Sequence, residues 1–203
     1  MTARLLLIRH AAHADLGWRL TGRGDDESLT AEGERQAEAL AGRVVAADPA
    51  EILVSPRPRT RRTAEAVARS TGVLLREEAQ LDEIDFGDWT GRSFAELEGD
   101  PAWETWNRAR GSARAPGGES MAEVAQRVYA LAERMGVERD GTTVALVTHG
   151  DVIRALVARV LGLAFDNLLR FEVAPASVSV VEVAPWGMTL LGLNDTGAVG
   201  GGR

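Results

Sequence analysis

The sequence predicts an α/β protein: a three-layer sandwich with a mostly parallel central sheet, helices on both faces and an insertion that caps the functional edge. Three observations carry this expectation. Short apolar runs alternate with helical periodicity in the order βαβα, insertion, αβα, ββ, the order of a sheet covered by helices. Leu5 to Ile8 and Val144 to Val147 are continuously apolar rather than alternating, as in strands covered on both faces. Residues 73–118 break the periodicity with Gly87, Gly91, Pro101, Pro116 and paired glycines.

Each element has its own signal. Leu5 to Ile8 is the first strand, and it runs straight into Arg9 and His10. After a loop rich in Gly and Asp, residues 30–47 place Ala37, Leu40, Ala41, Val44 and Val45 on one helical stripe. Ile52 to Val54 is the second strand. Ser55 and Pro56 then read as a helix start, a side-chain cap and a proline at the first helical position, with the helix running to about Thr71 and stopped by Gly72. Residues 73–118 read as an insertion with short helices. Ser120 and Glu123 form a capping box, and Met121, Val124, Ala125, Val128, Leu131, Ala132 and Met135 make the following stripe. Thr143 to Val147 is the third strand, ending in Thr148, His149 and Gly150, and Val152, Ile153, Leu156, Val157 and Val160 continue as a helix. Two last strands are expected near 176–183 and 188–193. No repeat or linker divides the chain, so residues 1–196 are expected to form one domain, with 197–203 a disordered, glycine-rich tail.

Composition excludes several classes. A chain of 203 residues, 45% hydrophobic and 26% charged, can bury an ordinary core without staples. It has no cysteine, which removes disulfides, a thiol nucleophile and thiolate metal sites. A net charge of -7 opposes a general nucleic-acid binder. The first apolar run is too short for a membrane span or a signal peptide, so no membrane partner and a cytoplasmic location are expected.

In open α/β sheets, ligands bind beyond the carboxyl ends of the parallel strands. Arg9 with His10, Ser55 onward, and Thr148 with His149 all fall at that edge. A neutral imidazole is a good nucleophile near neutral pH. Attack on a phosphate dianion also needs fixed cations, best supplied by planar guanidinium forks, and an acid for the departing alkoxide. Arg9 and Arg59 are candidate cations, and Asp82, Glu83, Asp85 and Asp88 are candidate acids on one loop.

Five segments in order, LLLIRHAAH, SPRPRTRRTAEAVA, LDEIDFGDWTG, PGGES and ALVTHGDVIRAL, resemble the motifs of the histidine phosphatase superfamily, the phosphoglycerate mutase-like family. The resemblance covers about residues 4–160. It implies that His10 is transiently phosphorylated, that Arg9 and Arg59 bind phosphate, that Glu83 is the acid/base and that His149 is the second pocket histidine. It also implies chemistry without a metal or other cofactor on a small phosphorylated substrate. Arg23, in a segment resembling the family's substrate-side loop, and Gly150 beside His149 complete the expected substrate contacts.

The first motif departs from the commonest family form. Ala11, Ala12, His13 and Leu16 stand where a glycine, an acid, a small hydroxyl and an amide are usual, and His13 and Arg23 are the candidates to replace the missing contacts. Competing bland readings make His13 structural or solvent-facing and Arg57, Arg61 and Arg62 a solvated helix face, while Trp89, Trp103 and Trp106 are read as core packing over the alternative of a substrate pocket in the insertion. The sequence therefore favours a phosphomonoesterase. A mutase that returns the phosphoryl group to another hydroxyl is the alternative within the family, and a non-catalytic sensor of phosphorylated ligands is the alternative from another class. The substrate's identity and the oligomeric state are not written in the motifs.

Overall fold

The computed structural model describes residues 2–24 and 29–197. In chain order the elements are β1 (Ala3–Arg9), α1 (Ala31–Val45), β2 (Glu51–Val54), α2 (Pro58–Thr71), β3 (Leu75–Glu77), α3 (Phe94–Leu97), α4 (Pro101–Arg108), α5 (Met121–Glu138), β4 (Thr143–Thr148), α6 (Gly150–Leu161), β5 (Val178–Ala184) and β6 (Gly187–Asp195). The six strands form one sheet in the order β3-β2-β4-β1-β5-β6. The pairs β3/β2, β2/β4 and β4/β1 are parallel, while β5 and β6 add antiparallel strands at one side.

Side-chain alternation in the central strands divides the core in two. Leu5, Leu7, Leu53, Val144 and Leu146 face α5, α6 and the 79–118 segment, whereas Leu6, Ile8, Ile52, Val54, Ala145 and Val147 face α1 and α2. Apolar side chains thus leave the sheet on both sides, which is why these runs are continuous in sequence. This is the expected three-layer architecture.

The helix signals hold with one exception. Thr30 caps α1 by accepting from the Gly33 amide, and Ser120 with Glu123 closes both halves of a capping box on α5. Gly72 ends α2 at φ 75°, a left-handed conformation that glycine adopts without strain. Ser55 does not cap α2. The helix begins at Pro58 with Arg57 as its cap residue, because Ser55 still extends the β2 ladder, its amide bonding to the Val147 carbonyl at 3.0 Å.

Within 73–118 the expected irregularity includes β3, a three-residue edge strand too short to have shown a period. Trp89 and Trp106 are fully buried, so these indoles finish the core, and Trp103 packs partly buried against them. Gly87 (φ 52°) and Gly118 lock this segment to the 85–87 turn; a Cβ would meet the Pro116 carbonyl at 2.1 Å and the Asp85 carbonyl at 2.2 Å respectively. Of the expected tail, Gly197 is held by the Asp195 carboxylate at 2.8 Å, and residues 198–203 lie outside the described residues. Among the described residues no helix is long and apolar enough to cross a membrane.

Candidate active site

The parallel strands bring their carboxyl ends to one cavity of about 250 Å³. Arg9, His10 and His13 reach it from the end of β1, Arg59 from the first turn of α2, Glu83 from the loop after β3, and Asp151 from the start of α6. Leu16, Leu20, Phe86 and Phe94 supply an apolar wall, the last two from the 79–118 segment.

His10 is buried, and its ring lies 5.3 Å from the His149 ring and 5.2 Å from the His13 ring. Its Nδ1 lies 2.9 Å from the Ala11 carbonyl. A carbonyl can only accept, so Nδ1 carries the proton and Nε2 keeps its lone pair. Burial, then the nearby Arg59 and Arg9 charges, hold His10 well below the usual imidazole range. At neutral pH it is an uncharged imidazole with a free Nε2 lone pair.

His149 follows the end of β4 and is fully buried. Arg59 donates from Nη2 to its Nδ1 at 3.0 Å and to the Gly22 carbonyl at 2.9 Å. A guanidinium can only donate, so His149 is protonated at Nε2, which lies 2.7 Å from the Ser55 hydroxyl. Burial and the Arg59 charge lower its pKa well below the ordinary value.

Glu83 has the opposite shift. Burial, reinforced by the Asp151 charge, raises its carboxyl to about 7, against the pull of Arg59 and Arg9. Its Oε1 accepts the Ile84 amide at 2.9 Å, and Oε2 stands 3.6 Å from His149 Nδ1. The loop residue beside two neutral histidines is therefore a carboxyl that holds its proton near neutral pH. That is the pattern of opposed shifts by which acid and nucleophile are told apart.

Arg9 donates to the Val173 carbonyl at 2.6 Å, and its buried Nε has no hydrogen-bond partner. Burial and the neighbouring Arg154 guanidinium lower its pKa. An uncompensated guanidinium edge in a cavity is a standing invitation to an anion. Gly150 leaves room for it, since a Cβ there would stand 3.3 Å from both Arg9 Nε and Arg154 Nη1.

The expected catalytic set, His10, Glu83, His149, Arg9 and Arg59, is thus gathered into one place. His149, fully buried, stands behind the cavity against Arg59 and Ser55 rather than lining it, and Arg23 and Gly150 do not line it either. Arg23 reaches the Glu83 carbonyl at 2.8 Å and the Glu119 carboxylate at 2.9 Å, bracing the acid's loop. His13, weighed from sequence as a replacement contact against a structural or solvent-facing reading, is buried and lines the cavity. Of the arginines expected on a solvated face, Arg61 and Arg62 are exposed, paired with Glu77 and Glu34, but Arg57 grips buried Asp82 through two bonds of 2.8 and 2.7 Å. Sequence reading also passed over Asp151, which lines the cavity and stands 3.5 Å from Arg110 and 3.4 Å from Arg154. Its place directly after the THG motif was the available signal. Among the described residues no group of three or more His, Asp or Glu side chains is placed to hold a metal ion.

A cationic cleft with two uncharged histidines and a protonated carboxyl, at the carboxyl edge of a mostly parallel sheet, is the constitution of an enzyme acting on phosphate esters. The chain belongs to the histidine phosphatase superfamily (branch 1), whose profile matches residues 5–196. It is 32% identical over 192 residues to a probable phosphoglycerate mutase GpmB of Klebsiella pneumoniae, covering 90% of this chain and 88% of the relative. Among solved structures it resembles a mycobacterial glucosyl-3-phosphoglycerate phosphatase (28% identity, TM-score 0.83, 96% and 99% of the two chains). It also resembles Bacillus stearothermophilus YhfR (28%, TM-score 0.88, 94% and 96%) and a putative α-ribazole-5′-P phosphatase of Escherichia coli (26%, TM-score 0.84, 96% and 97%).

Proposed function

We propose that this protein is a cytoplasmic, metal-independent phosphomonoesterase that works through a phosphohistidine on His10. One observation carries the reading: His10 commits Nδ1–H to the Ala11 carbonyl, which keeps the Nε2 lone pair available beside Arg9 and Arg59. Arg9 and Arg59, which line the cavity, bind the phosphoryl oxygens and offset the charge that would repel a nucleophile, and His149 holds Arg59 in place from behind. His10 Nε2 attacks phosphorus in line as the ester P–O bond breaks, and the Glu83 carboxyl gives its proton to the departing alkoxide. The resulting Glu83 carboxylate then takes a proton from water, whose oxygen attacks phosphorus. The N–P bond breaks, inorganic phosphate leaves, and His10 and Glu83 are restored.

Phosphoryl transfer to a second hydroxyl of the substrate is the second reading, favoured by the mutase names of the curated relatives. Both share the first half-reaction and differ in what accepts the phosphoryl group. A panel of phosphomonoesters, 3-phosphoglycerate among them, assayed in chelator for inorganic phosphate and for isomerised product, separates them. Phosphate release that is lost in His10→Ala supports the phosphatase. Isomerisation without net release would replace it with the mutase.

A further inference from the structure

We propose that Asp82 is the positioning residue that holds the acid and the second histidine of the site in register, Glu83 through its backbone amide and His149 through Ser55. This rests on the phosphatase reading and deepens it. Asp82 is buried and accepts four donors. Its Oδ1 takes the Glu83 amide at 2.8 Å, Arg57 Nε at 2.8 Å and the Ser55 hydroxyl at 3.4 Å, while Oδ2 takes Arg57 Nη2 at 2.7 Å.

The polarity of the chain toward His149 is forced at every link. Arg59 can only donate to Nδ1, so Nε2 carries a hydrogen; Ser55 accepts that hydrogen and turns its own toward Asp82. An imidazole backed by a hydroxyl and a carboxylate is fixed in tautomer and ring plane. The same carboxylate fixes the backbone of the acid. Arg23 Nε at 2.8 Å and Arg127 Nη2 at 3.2 Å hold the Glu83 carbonyl from the other side, so the residue is pinned at both of its peptide groups. Arg57 holds Asp82 in place with a two-pronged ion pair, which accounts for an arginine at the cap position of α2, where no side-chain cap is made.

The two duties separate by leaving group. Phenyl phosphate and p-nitrophenyl phosphate have nearly the same shape, but nitrophenolate departs without a proton and phenolate needs one. A displaced Glu83 therefore costs the phenyl ester more, whereas a misoriented His149 costs both alike. For Asp82→Asn the expected loss in kcat/KM is about 100-fold on phenyl phosphate and about tenfold on p-nitrophenyl phosphate, within the range of acid catalysis. Ser55→Ala, which touches only the His149 branch, should lower both by a similar factor. Arg57→Lys keeps the carboxylate but loses the fork, and it should show the same leaving-group bias as Asp82→Asn if the asparagine variant does not fold. Equal losses on the two esters for every folded variant of Asp82 and Arg57 would overturn the assignment while leaving the phosphatase intact. A wild-type protein that hydrolyses neither ester would remove the phosphatase reading and this inference with it.

Discussion

Replacing Glu83 by glutamine should make the protein slower and more stable at once. The native carboxyl holds its proton up to about pH 7 because it is buried beside Asp151, whereas the same group in the unfolded chain titrates near 4.5. Between those values the native state binds more protons than the unfolded one, so the sign is negative: stability falls as pH rises from about 4.5 to about 7 and is level above. Integrating that difference, ionising Glu83 costs the native state about 3 kcal/mol at pH 8 and under about 1 kcal/mol at pH 5. Glutamine keeps the Oε1 acceptor for the Ile84 amide and removes the charge. The variant should therefore gain about 6–12 °C in Tm at pH 8 for a chain of this size, with most of the gain gone at pH 5. Its turnover of alkyl phosphates should fall about 10²–10⁴-fold. Thermal denaturation of both proteins at the two pH values, with phosphate release measured alongside, is the assay. An unchanged or lowered Tm at pH 8, or a gain of equal size at pH 5, would refute the claim that burial holds this carboxyl protonated.

Three further outcomes follow from the geometry. Arg59→Lys removes the planar guanidinium whose Nη2 is anchored on the Gly22 carbonyl and His149 Nδ1, and KM for a phosphomonoester should rise at least about tenfold, read from initial-rate curves. Arg23→Gln should lower kcat several-fold and leave inhibition by inorganic phosphate unchanged, because Arg23 braces the Glu83 loop rather than lining the cavity; a weakened phosphate inhibition would return Arg23 to the substrate. Gly33→Ala should cost about 1–3 kcal/mol in urea denaturation, since its Cβ would stand 1.9 Å from the Ala12 carbonyl, backbone in the turn that follows His10.

Much of this architecture is legible in the sequence because its signals are local. A continuously apolar strand, a capping box and a glycine after a stripe each report on neighbouring residues, and β1, α1, α5 and β4 fall where those signals put them. The edge strand β3 escaped because Leu75-Arg76-Glu77 is exposed along most of its length and carries no apolar period. The start of α2 was misplaced for a different reason. Ser55 and Pro56 carry a valid local cap signal, but the Ser55 hydroxyl is taken by His149, a residue 94 positions away. The same long-range logic hid Arg57 and Asp82, which look like surface charges until the fold sets them against each other. His13 stayed open between a replacement contact and a structural residue because it sits three positions from His10 on an irregular turn, where no periodicity predicts a shared cavity. Motif order gathered His10, Arg59, Glu83 and His149; only the folded backbone separates the residues that face the cavity from those that brace it.

The account turns on whether His10 takes the phosphoryl group. The direct measurement is rapid acid-free quenching of the wild-type protein during turnover of a phosphomonoester in chelator, followed by peptide mass spectrometry, with His10→Ala in parallel. The account predicts a phosphoryl group on His10, labile in acid and stable in base, that forms and decays at least as fast as turnover and is absent from an inactive His10→Ala protein. Turnover with no phosphohistidine, or with full activity retained by His10→Ala, would contradict it.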